Sequence, residues 1–218
     1  MQQRDHPQLL QVFVHLQDAT KRRGRGLGAV VVGALLACLT AGLLACVSAL
    51  AASSAGATTG TPVCANANLR PTAKNLGAVD AATLCLVNRE RTARRLRALH
   101  ANRDLGHVAA KQVGSMVHKD YYGEVGPSGQ TPMGLVSVTS YSAHAADLDV
   151  GENIAWGTGS DATPAHIVQA WMASPPHREI MLSSEYRDAG VAALSTVPAV
   201  LGTTGSGAMY VIEFGSHS

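Results

Sequence analysis

Cysteine is scarce, and what there is does not suit a metal-bound scaffold. Four cysteines occur in 218 residues, with no CxxC and no Cys/His spacing of the structural-zinc kind. A strong charge of either sign is also missing. From residue 52 onward 12 Lys and Arg stand against 13 Asp and Glu, which gives no general electrostatic reason to bind nucleic acid. There is no internal repeat, which excludes a solenoid, and no G-x-S-x-G, which removes the usual serine elbow.

Charge is absent altogether from Leu27 to Leu69, and this gap is informative. It follows the basic run KRRGRG and opens with LGAVVVGALLACLTAGLLACVSALAA. Residues 1–26 therefore read as a basic cytoplasmic N-region, and 27–51 as an apolar export signal or membrane-anchor helix. Ala49-Leu50-Ala51 offers a small-residue cleavage site, so a cleaved signal and a retained anchor both stay open. LLAC occurs twice and raises lipid attachment at Cys38 or Cys46, although Leu before Ala makes both poor matches. Cys64 and Cys85 are the pair left for the exported portion, where thiols tend to be oxidised, and a disulfide is expected between them rather than two unrelated buried thiols.

Residues 52–75 are rich in Ala, Ser, Thr, Gly and Pro and read as a linker that becomes ordered near Cys64, ahead of a domain over 76–218. Helical spacing of Val79, Ala82, Leu86, Ala93 and Leu96 predicts a first helix over about 76–98, and a second is expected over about 103–120. Thr163-Pro164 starts a third, which Pro175-Pro176 should end. GVAAL (190–194) and MYVIEFG (209–215) read as an antiparallel pair. Helices followed by strands argue for an α+β layered domain.

LCLVNRERTARRLRAL, VGENIAWG, IVQAWMASPPHREIML, GVAAL and YVIEFG, in that order, resemble the CAP superfamily of cysteine-rich secretory, antigen 5 and pathogenesis-related (SCP-like) proteins, in its short bacterial secreted form. The resemblance implies an α-β-α sandwich with a central antiparallel sheet and a cleft lined by His and Glu. Carried over residue by residue, it pairs Glu152 of the GEN motif with His177 of SPPHR. A carboxylate beside an imidazole should raise the His pKa and lower that of the Glu. The same resemblance places Glu124 where the family has another cleft His, Ser174 where it has a second Glu, and Ile180 where Asn is common. Two of four cleft positions therefore match.

Glu124, Glu152 and His177 form a mixed oxygen and nitrogen donor set for zinc, manganese or, less well, magnesium, bound weakly, with no cofactor required. Ser174, His177 and Glu152 supply the residue types of a hydrolytic triad, and Glu124 with Glu152 those of a glycosidase. The favoured expectation is an exported binding or interaction module, secreted or on the cell surface, with a lipid or cell-envelope ligand and membrane contact through residues 27–51 if these are uncleaved. The alternative is a peptidoglycan- or peptide-directed hydrolase using Glu152 and His177. Arg91, Arg94 and Arg95 are read as a solvated helix face in preference to a contact with anionic lipid or wall polymer. His118 is read as a surface side chain. Oligomeric state stays open.

Overall fold

The computed structural model describes residues 63–203 and 206–218. The apolar segment at 27–51 and its two cysteines lie outside the described residues. Among those described, no helix is long and apolar enough to cross a membrane.

The elements run α1 (Leu76–Thr92), β1 (His100–Ala101), α2 (Arg103–His118), α3 (Pro132–Val136), β2 (Leu148–Thr158), α4 (Pro164–Ala173), α5 (Pro175–Met181), β3 (Asp188–Leu194) and β4 (Gly207–His217), with three short 3-10 turns between them. The first helix stops earlier than its apolar spacing predicts. Arg95 takes a left-handed backbone (φ 61°), and Leu96 N–H closes back on Arg91 O at 3.0 Å, so the chain turns off the helix there. Asn102 starts α2 by accepting from the amides of Asp104 (2.9 Å) and Leu105 (3.1 Å). Pro164 and Pro175 each sit in a helical first turn, so the proline pair that ends α4 also begins α5.

The sheet order is β1-β3-β4-β2. β2 and β3 flank β4 antiparallel, while β1 adds two residues parallel to β3, so the expected all-antiparallel sheet carries a short parallel edge. GENIAWG, to which no element is assigned from sequence, occupies the middle of β2. Strand alternation divides the core. Tyr210, Ile212 and Phe214 pack with Val79 and Leu86 of α1 and Ile167 and Trp171 of α4. Met209 and Val211 pack on the other face with Ala109, Val113 and Met116 of α2. Helices thus cover both faces, as the α-β-α expectation requires.

Three contacts hold this arrangement around the region of interest. A Cβ on Gly190 of β3 would lie 2.0 Å from the Gly106 nitrogen, so α2 rests directly on the sheet backbone at that point. Cys64 and Cys85 are disulfide-bonded, tying the leader before α1 to that helix, as expected. Arg91, expected on a solvated face, is fully buried, and its guanidinium donates to the carbonyls of Arg97 (3.0 Å), Met181 (2.8 Å) and Ser183 (2.9 Å). It anchors the C-terminal end of α5 to α1, which fixes the helix that carries His177.

Candidate functional site

The partner of Glu152 is another glutamate. Glu152 on β2 and Glu213 on β4 are directly opposed across the antiparallel ladder, so both side chains leave the same face, beneath α2. Their residues are 2% and 0% exposed, and among the described residues no cation pairs with either carboxyl. The Gln112 side chain on α2 donates to the carbonyls of Gly123 (3.2 Å) and Glu124 (2.8 Å), and it lies near enough to Glu152 to oppose part of the rise in that carboxyl's pKa. Two ionised carboxylates in this setting would lack both solvent and counter-charge. One of them therefore keeps a proton.

Both carboxyls are displaced toward the protonated form. Burial raises Glu152 well above the ordinary value, reinforced by the charge of Glu213, a hydrogen bond to it, and the charge of Glu124. Burial also raises Glu213, to about 7, although its bond to Glu152 opposes the rise. The two carboxyls thus hold one proton between them, a property of the pair. Burial alone brings half-buried Glu124 to about 7. Tyr122, raised by burial and by the charges of Glu124 and Glu152, completes an acidic, proton-retaining cluster.

His177 stands apart from this cluster. Ion pairs within 4.0 Å among the described residues are Arg94–Glu90, His100–Asp188 and Arg103–Asp104; Glu152–His177 is not one of them. Burial lowers the His177 pKa and raises that of Glu152, so both directions are the reverse of those expected for a carboxylate–imidazole pair. Strand alternation supplies the reason. Asn153, which faces opposite to Glu152, makes the contact with α5, donating to the His177 carbonyl at 3.0 Å. The imidazole Nδ1 lies 2.8 Å from the Ser174 hydroxyl, buried at the start of α5.

That local contact recurs. In TPAH, Thr163 Oγ1 lies 2.8 Å from His166 Nδ1 at the start of α4, as Ser174 lies beside His177 in SPPH. The Thr163 hydroxyl gives its proton to Ser160 O (3.0 Å), so its oxygen accepts from the His166 ring. A hydroxyl–Pro–x–His clamp at a helix start therefore occurs twice, once on a buried and once on an exposed histidine.

The expected metal set fails on geometry. Among the described residues no three His, Cys, Asp or Glu side chains are grouped so as to hold an ion. Glu124 and Glu152 belong to the acid cluster, while the His177 ring engages Ser174. Zinc or magnesium ligation by Glu124, Glu152 and His177 does not fit this arrangement. His118 is exposed, as expected. Glu213, Gln112 and the buried role of Arg91 were missed; Glu213 carried the same signal as Glu152, a lone acid in an apolar strand.

Comparison with known proteins agrees with the motif order. The family described as "CAP: Cysteine-rich secretory protein family" matches residues 84–198, just over half of the chain. The uncharacterised protein YkwD of Bacillus subtilis is 31% identical over 106 residues, 49% of this chain and 38% of that protein, so the chain spans well under half of that relative. An outer surface protein of Borrelia burgdorferi is similar at 20% identity and a TM-score of 0.49, over 62% of this chain and 90% of that one. A cysteine-rich secretory protein of Staphylococcus aureus is similar at 16% identity and a TM-score of 0.48, over 66% of this chain and 40% of that one. The family match covers the stretch from the Cys85 helix through GENIAWG and SPPHR to β3, and on that ground the chain belongs to the cysteine-rich secretory protein, or CAP, family.

Proposed function

We propose that this chain is an exported CAP domain that works outside the membrane, secreted or held at the cell surface, as a binding or interaction module for a lipid or another envelope component. The basic cluster followed by an uncharged apolar run supports export, as does an oxidised Cys64–Cys85 pair. The observation that carries binding over catalysis is the sealed Glu152–Glu213 pair. Its acids are buried at the middle of two strands, and His177 is not oriented by either of them.

The hydrolase reading draws on one contact, the 2.8 Å approach of Ser174 to His177. The same contact between Thr163 and the exposed His166 supports a clamping role instead. A triad also needs a group that orients the imidazole, and among the described residues no carboxylate lies within ion-pair distance of His177.

The test is to assay peptidoglycan and a peptide library for cleavage by the full chain and by Ser174→Ala and His177→Ala, alongside binding to phospholipid and sterol vesicles. The expected result is no turnover by any of the three proteins and vesicle binding that both variants retain. Turnover that disappears in both variants would establish the hydrolase instead.

A further inference from the structure

The cations of this domain are concentrated in one place. Six of the 12 Lys and Arg after residue 51 fall within Arg89–Asp104, against two acids there, while the domain as a whole is nearly neutral. Internal structure uses two of the six: Arg91 is buried on three carbonyls, and Arg103 lies 3.9 Å from Asp104. Arg94 shares a salt bridge with Glu90 but keeps its side chain 45% exposed. Arg95 and Arg97 project from the turn after α1 and are exposed, and neither guanidinium has a carboxylate within 4.0 Å among the described residues. Arg187 adds a further exposed cation near buried Arg91, one nitrogen of its guanidinium donating to the carbonyls of Ser184, Glu185 and Tyr186.

Arg95 also occupies a position that usually belongs to glycine. It is the left-handed residue that closes α1, at φ 61°, where a β-carbon is disfavoured. The cost buys a guanidinium at the tip of the turn.

The disulfide shows what this face meets. Cys85 binds Cys64, and Arg89 follows Cys85 by one helical turn on the same side of α1. The chain therefore enters the domain beside Arg89, on the helix whose C-terminal turn carries the other arginines. Only the twelve residues 52–63 separate that entry from the apolar run 27–51, which is long enough by sequence to span a bilayer. Twelve residues reach at most about 40 Å. An anchored chain would keep the arginines close to the membrane it is anchored in.

We propose that Arg89, Arg94, Arg95 and Arg97, with Arg187, form a docking surface for an anionic phospholipid bilayer. Headgroup phosphates supply the counter-charge, and each exposed arginine brought to the surface strengthens contact roughly fivefold, less at high salt. The acids facing this surface are Glu90, engaged by Arg94, and Glu185 in the turn before Arg187. The surface lies apart from the acid cluster. It extends the binding-module reading by naming a membrane partner, and in reconstituted vesicles it does not depend on export.

The experiment reconstitutes the full chain in phosphatidylcholine vesicles and in vesicles containing phosphatidylglycerol, and follows amide hydrogen exchange over residues 92–97. Exchange should slow at least threefold in the anionic vesicles, return at high salt, and be unaffected by lipid charge in an Arg95→Gln/Arg97→Gln double variant. Unchanged exchange in β4 verifies that this variant folds. Equal exchange in both vesicle types overturns the proposal, as does slowing that survives the double substitution. Slowing by soluble polyphosphate but not by vesicles also overturns it and reassigns the face to a wall polyanion. Loss of vesicle contact here, with cleft variants still inert toward peptidoglycan, would leave the binding-module reading intact.

Discussion

Glu152 and Glu213 show how far one neighbour changes the chemistry of a residue. Each is an acid in an apolar strand, and their register makes them share a proton instead of meeting a cation. The raised carboxyls contribute stability that is full below the unfolded value near 4.5 and is lost as pH rises through about 7. Glu213→Gln supplies an amide donor to Glu152 and should stabilise the protein at pH 8 by on the order of 1–3 kcal/mol, with little effect at pH 4, as urea unfolding at both pH values would show. His177 works in the opposite sense. Its folded pKa lies below the ordinary imidazole value of 6.5, so its contribution is retained above that pH and lost as pH falls below it. The two hydroxyl–histidine clamps offer a second check. Ser174→Ala and Thr163→Ala should each cost about 1 kcal/mol in chemical denaturation, the similar size reflecting one shared local role.

Elements are held in place by contacts that helical or strand patterning does not encode. Arg91 reads as one of several arginines at helical spacing, and its burial follows only because α5 ends next to α1. Arg91→Met should cost about 3 kcal/mol, because three carbonyls lose their donor inside the protein, and Arg91→Lys should recover only part, since an ammonium cannot reproduce the planar fork. Thermal unfolding of both variants checks this. Gly190 sets the seat of α2 in the same way. A methyl there meets the Leu105–Gly106 backbone, which cannot rotate aside, so Gly190→Ala should cost about 3 kcal/mol and speed hydrogen exchange in α2. The starts of α2 and α4 were legible because Asn102 and Pro164 act within one turn, whereas α5 was missed because its proline pair reads equally as a stop. β2 was not legible either. GENIAWG is a strand because β4 lies beside it, and its alternation places Glu152 and Asn153 on opposite faces.

At the scale of the molecule, the domain stands on two packed layers either side of a small sheet, with a single covalent tie at its entry. The Cys64–Cys85 link closes a separation of 21 residues, and replacing both with serine should cost about 3 kcal/mol in urea unfolding. By itself the amino-acid order determined the α+β class, the starts of α2 and α4, the cysteine pairing and the family motifs, because each depends on neighbours within a few turns or on composition. Only the tertiary structure decided that Glu152 faces Glu213, that Asn153 and not Glu152 meets α5, and that Arg91 is buried while Arg95 is exposed. Those outcomes depend on strand register and on which face of the sheet each helix covers, quantities that arise from contacts between residues tens of positions apart.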